Sequence, residues 1–130
     1  MKKLGASLLL ATMILFSSSV AMAHATPTQK HRVTVVKTYN AKVSWYKTGK
    51  ITANGEKFTP NNLTVAHKHL PFGTIVEFTN NKNNKTIIAR VNDRGPYVKG
   101  REFDLSIGAA KYLDIVHSGV AILEVKIYKL

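Results

Sequence analysis

The stretch Ala89–Ser106, ARVNDRGPYVKGREFDLS, decides how the rest of the chain is read. It carries Asp93 and Asp104, two of only seven acidic residues in a chain that also has 19 Lys and Arg. Each aspartate stands at the edge of a hydrophobic, strand-like pattern, and a Gly/Pro-rich segment joins the two. A loop that fixes a carboxylate at the mouth of a barrel has this form. So does an ordinary type I turn, because Asp93 in Asn92-Asp93-Arg94-Gly95-Pro96 can bond its own backbone. Both readings stay open on local sequence alone.

Upstream, Thr86–Val91 (TIIARV) and Thr74–Thr79 (TIVEFT) are rich in β-branched residues and read as two strands, with NNKNNK as the hairpin tip between them. Leu70-Pro71-Phe72-Gly73 reads as a turn, since Pro presets φ and Gly accepts positive φ. Leu63–Ala66 is a short strand candidate, and Lys47–Lys57 (KTGKITANGEK) a loop or tight hairpin. Val33–Tyr46 turns to β period, with Tyr39, Ala41, Val43 and Trp45 alternating with polar residues. Downstream, Ser106 is a helix N-cap candidate for Ile107–Leu113, in which Gly108 is the weak position. Val120–Tyr128 is a final strand. About six short strands and one helix predict an all-β fold, a small barrel or sandwich.

At the N-terminus, Lys2 and Lys3 precede an apolar run, Leu4–Phe16, and then Ala21-Met22-Ala23, a small-x-small cleavage pattern. The run is shorter than the ~20 residues needed to span a bilayer. Residues 1–23 are therefore expected to be a cleavable signal peptide, 24–36 a flexible leader and candidate first strand, and 37–130 the folded domain. Export to the periplasm or cell wall follows. The chain has no Cys, so neither a disulfide nor a lipid anchor on Cys is expected. Removal of Lys2 and Lys3 takes the net charge from +12 to +10. In an exported protein that charge points to anionic polymers such as cell-wall glycan rather than to nucleic acid, for which no motif is present.

The chemistry-bearing candidates are loop or strand-end carboxylates, Glu56, Asp93 and Asp104, with a histidine, His67, and the aromatic pair Trp45-Tyr46. Cleavage of a glycosidic bond needs a carboxylic acid that protonates the leaving oxygen and acts as base afterwards. Aromatic rings offer flat apolar faces to sugars. Each candidate has a plainer reading. Asn54-Gly55 before Glu56 makes a hairpin turn, and Asp104 two residues before Ser106 favours a helix N-terminus. His67-x-His69 lacks the third ligand a metal site needs, so no metal or other cofactor is expected. Trp45 and Tyr46 point to opposite faces of a strand, one to the core and one to a sugar.

Taken together and in order, SWY, TANGEKF, TVAHKHLPFGT, VNDRGPYVKG and FDLS resemble the rare lipoprotein A family of septal lytic transglycosylases, from about Val43 to Tyr128. The resemblance implies a six-stranded, pseudo-symmetric double-psi β-barrel with one short helix. It implies a monomer that cuts peptidoglycan strands, preferentially naked ones, between N-acetylmuramic acid and N-acetylglucosamine, leaving a 1,6-anhydro end. The sugar's own 6-hydroxyl is the nucleophile, so one acid/base can perform both proton transfers. On the family pattern Asp93 and Glu56 match the essential acids, with Asp93 expected as acid/base, and His67 matches a supporting polar residue. Trp45, Tyr46, Asn54, Arg94, Tyr97 and Asp104 are expected to contact the glycan. Asp104 is also similar to the aspartate after Phe in expansins, which implies support of the Asp93 loop, and a non-catalytic, expansin-like wall-binding module is the alternative function. The short KTGKI segment, where the family has a longer Gly-rich one, implies looser sugar positioning.

Overall fold

Six strands and one helix follow one another as β1 (Thr34–Tyr46), β2 (Thr64–His67), β3 (Ile75–Asn80), β4 (Lys85–Asp93), β5 (Phe103–Ser106), α1 (Ile107–Leu113) and β6 (Val120–Lys129). This computed structural model describes residues 32–129. The expected signal peptide and most of the leader lie outside them. The strands close into a barrel in the order β1-β5-β2-β4-β3-β6, the double-psi architecture expected from the motifs. Two parallel pairs, β1–β5 and β2–β4, flank the antiparallel β5–β2 contact. Chain segments distant in sequence are thereby brought side by side at the β1-β5-β2-β4 face.

Local sequence explains the individual elements. β3 and β4 pair antiparallel from Ile75↔Arg90 to Asn80↔Lys85, closed by the Asn-rich tip, where Asn84 takes φ 59°. Asn tolerates that left-handed conformation better than most residues. In β3 and β4 the period-2 pattern buries Val76, Phe78, Ile87, Ala89 and Val91. They meet Phe103, Leu105, Leu123 and Val125 from the other strands, with Phe78 edge-on to Phe103 at 5.1 Å between centroids. β1 pairs with β6 from Thr34↔Lys129 to Ser44↔Val120, with a register shift between Val35 and Lys37.

Helix α1 has the bounds expected, and the Ser106 hydroxyl accepts from the Ala109 N–H as its N-cap. Gly108 has a reason that its poor helix propensity hid. A Cβ there would lie 2.6 Å from the Asn61 carbonyl oxygen, and the Gly108 N–H donates to Pro60 O at 2.8 Å. The helix is pressed against backbone that cannot move aside like a side chain. Ala at position 108 would gain ~1 kcal/mol of propensity, but overpacking costs about 1–3 kcal/mol. Gly108→Ala is therefore expected to lower the melting temperature by several degrees, at ~4–8 °C per kcal/mol for a domain of this size, when followed by thermal unfolding.

Candidate active site

The placement of Asp93 depends on one extra residue. Along the parallel β2–β4 pair, Val65 faces Val91, but the next partners are Ala66 and Asp93, so Asn92 is bulged out of register. Without the bulge, Asn92 would pair with Ala66 and Asp93 would turn to the opposite face. Bulges re-aim side chains in this way and are common beside active sites. The consequence is a row across four strands, Ser44–Asp104–Ala66–Asp93, on the face turned away from the core. Asp104 and Asp93 are two strands apart, roughly 10 Å between Cα atoms. The small, buried Ala66 lies between them in the row. Asp93 ends a strand and does not begin a turn, so the turn reading of NDRGP is set aside.

The Asp93 carboxylate is tightly oriented. Its Oδ1 accepts from the Ala53 and Arg94 backbone N–H groups, both at 2.9 Å, and its Oδ2 from the Tyr46 hydroxyl at 3.1 Å. Tyr46 is itself stacked on Phe58 at 4.7 Å. Burial, then the negative charge of Asp93, pushes the Tyr46 pKa up, so the phenol stays a donor.

Glu56 sits beside this site but is committed elsewhere. Its two oxygens accept from Arg90 Nη1 at 2.5 Å and Nη2 at 2.8 Å, a bidentate pair, and further bonds come from Asn54 Nδ2 and Asn92 Nδ2. These bonds, Arg90 foremost, lower its pKa to about 2. Asn54 spends its side chain inside the same turn, accepting from Thr52 Oγ1 and the Glu56 N–H. The cluster locks the 52–56 turn, and that turn supplies the Ala53 N–H to Asp93. Because the folded pKa lies below the unfolded value of ~4.3, Glu56 stabilises the fold fully above that value. The contribution disappears as pH falls toward 2. The melting-temperature gap between wild type and Glu56→Gln is expected to be constant from pH 7 to 5 and to close below pH 4.

Asp104 moves in the other direction. Burial raises its pKa and the charge of Asp93 adds to this, against the Ser44 hydroxyl, which donates at 3.0 Å, and the charge of Arg101. A raised folded pKa means stability that is present at low pH and lost as pH rises through that pKa. Asp104→Asn keeps an acceptor for Ser44 and removes the desolvated charge. At pH 7 it is expected to melt at or above wild type, by on the order of 2–4 °C.

The remaining expected residues divide. The His67 ring packs on Phe103 at 4.8 Å, and its Nδ1 accepts from the His69 and Leu70 N–H groups. That leaves the proton on Nε2, which faces Glu102 at 3.6 Å, and burial lowers the ring's pKa. None of these contacts is with Asp93 or Glu56. Arg94 Nη1 donates to the His67 and Leu70 carbonyls while its guanidinium stacks on Phe72 at 3.8 Å, so it straps the 67–72 loop to the site. Trp45 packs against the core, and Tyr46 is the member of the pair that faces Asp93. Tyr97 projects outward, 78% exposed, and Phe72 is a second exposed ring. Sequence reasoning passes over Arg90 and Glu102. An arginine inside the apolar run IIARV, needing an acceptor, is the available signal for the first. Glu102, which accepts from Tyr39 at 2.5 Å, gives none.

A protein family described as lytic transglycolase matches residues 38–125, which include every side chain of this site. The chain belongs to that family. Among its curated relatives, the "Endolytic peptidoglycan transglycosylase RlpA" of Campylobacter jejuni is 49% identical over 92 residues, covering 68% of this chain and 34% of the relative. The protein of the same name from Vibrio cholerae is 41% identical over 93 residues, covering 69% and 35%. The chain thus spans about a third of the length of these two relatives. Among solved structures, the Streptomyces papain inhibitor superposes with a TM-score of 0.61 at 22% identity, covering 72% of this chain and 96% of that one. A Clavibacter michiganensis expansin does so with a TM-score of 0.59 at 17% identity, covering 72% and 51%. At these identities the likeness is one of fold, and both structures share the barrel with this chain.

Proposed function

We propose that this domain is an exported lytic transglycosylase acting on the glycan strands of peptidoglycan, with Asp93 as its acid/base. Membership of the family and the name shared by the curated relatives support the reaction class. The observation that supports the residue assignment is the bulge at Asn92, which brings Asp93 into one row with Asp104, two strands away, with three donors fixing its orientation. In the proposed reaction Asp93 gives its proton to the oxygen linking N-acetylmuramic acid C1 to the next sugar. The C1–O bond breaks and positive charge develops at C1. The same carboxylate then takes the proton from the 6-hydroxyl of that sugar as its oxygen bonds to C1. The ring closes as a 1,6-anhydro sugar, the proton returns to Asp93, and no water is consumed.

Glu56 enters as a positioning residue. Held ionised by Arg90 at neutral pH, it is poorly suited to donate a proton, but it holds the turn that orients Asp93. Asp104, when ionised, faces the developing charge at C1 from across Ala66. Tyr97, the most exposed ring near the site, is available to a sugar face, whereas Phe72 has one face covered by Arg94. Incubation with naked glycan strands should yield anhydro-ended fragments from wild type and none from Asp93→Asn. Equal product from both would remove Asp93 from the reaction.

The expansin-like reading is favoured by one observation, that Glu56 is already saturated by Arg90, Asn54 and Asn92, leaving Asp93 and Asp104 as the carboxylates of the face. It predicts salt-sensitive sedimentation with cell-wall sacculi that survives Asp93→Asn and gives no soluble product.

A further inference from the structure

Two residues along the chain from Ala66, and two residues before Asp104, both strands have left the barrel and open a cavity of about 350 Å³. It is lined by His67, Lys68, His69, Gly100, Arg101 and Glu102. The step from the Asp104–Ala66 row is roughly 7 Å at ~3.3 Å per residue, within reach of a sugar next to one held at that row. Arg101 belongs to both places, since it lines the cavity and its charge favours the Asp104 carboxylate. The cavity therefore adjoins the proposed cleavage face along the β2–β5 pair, where Ala66 faces Asp104 and His67 faces Phe103.

Its charges are unevenly committed. Glu102 is the acid in the wall, and it is held by the Tyr39 hydroxyl and faces His67 Nε2. The His67 ring is pinned from its other side by two backbone N–H groups, so the Tyr39–Glu102–His67 wall is rigid. Lys68 and Arg101 take part in none of the ion pairs or side-chain hydrogen bonds found among the described residues. Two cations beside that wall, roughly 7 Å along the strands from the Asp104–Ala66 row, form a place for an anion. A carboxylate bound there would gain charge-assisted bonds from both side chains.

We infer that Lys68 and Arg101 form a subsite for a carboxylate carried by the glycan next to the bond that is cut. This rests on the reading of the domain as glycan-cleaving, and it adds a recognition element outside the Asp93–Asp104 face. The carboxylate has two sources in peptidoglycan. In naked strands it is the lactyl acid on the muramic sugar, and in peptide-bearing strands, where that acid is amide-linked, it belongs to the stem peptide.

The test measures retention of the wild-type domain and of Lys68→Gln and Arg101→Gln on three immobilised polymers: naked strands, peptide-bearing strands, and a chitin oligosaccharide with no carboxylate. Lys68→Gln is the cleaner variant, because Lys68 is not among the charges acting on Asp104. Wild type is expected to prefer at least one carboxylated polymer over chitin by 10-fold or more, with the preference falling toward unity in both variants and recovering in Arg101→Lys. The polymer that shows it names the source. Equal retention on all three polymers, or a wild-type preference that both variants keep, overturns the subsite. Cleavage is scored separately on the same strands. A carboxylate preference without any cleavage keeps the subsite and removes the enzymatic reading, and cleavage without the preference does the reverse.

Discussion

Asp93→Asn is expected to lower release of anhydro-ended fragments by about 100- to 10,000-fold, the usual weight of a general acid/base, while leaving the fold intact. The amide oxygen can still accept from the Ala53 and Arg94 N–H groups, and the Tyr46 hydroxyl can rotate to accept from the new NH₂. Geometry at the face is thus retained and the proton is lost. A melting temperature within about 2 °C of wild type, beside that loss of activity, separates chemistry from folding. If activity and melting temperature fall together, Asp93 is holding the site and another group carries the proton.

The second large effect concerns the Glu56–Arg90 pair. If Glu56 acts by locking the 52–56 turn, removing either partner frees the Ala53 N–H from its place, and a displacement of about 1 Å costs roughly 100-fold in rate. Glu56→Gln and Arg90→Met should then lose activity to a similar degree, and the double variant should be no worse than the more damaging single. Such non-additivity is the signature of two groups acting through one contact. A catalytic Glu56 predicts a different pattern, in which Glu56→Gln is far more damaging than Arg90→Met. Their pH behaviour differs as well. The turn should loosen only as Glu56 protonates toward pH 2, so wild-type activity near pH 5 should show no inflection from this residue.

Several parts of this architecture could be read from local sequence. The β-branched runs around the Asn-rich tip became β3 and β4, and Ser106 with Ile107–Leu113 became a capped helix with the bounds expected. Apolar period and cap chemistry act within a few residues, and these elements depend on little else. Asp93 was different. NDRGP has the composition of a turn, and what makes it a strand end is the register against β2, where Val65↔Val91 is followed by Ala66↔Asp93. A bulge is defined by its partner strand, which lies more than twenty residues away. The same holds for Glu56 and Arg90, 34 residues apart, whose pairing follows no period. Gly108 shows the converse. Its propensity argued against a helix, and the close backbone of Asn61 is why no larger residue would serve. The resemblance of the motif string singles out Glu56 and His67, and the contacts each makes are set by the tertiary fold. Glu56 braces a turn, while the His67 ring closes a loop and forms the wall of the neighbouring cavity.

The most direct test of the account is the chemical origin of the new glycan end. Naked strands digested by the domain in heavy-oxygen water should yield muramic ends in the 1,6-anhydro form carrying no solvent oxygen, because the sugar's own hydroxyl closes on C1. Reducing ends labelled with heavy oxygen would show that water is the nucleophile. That result would contradict a single carboxylate at position 93 moving both protons of an intramolecular transfer.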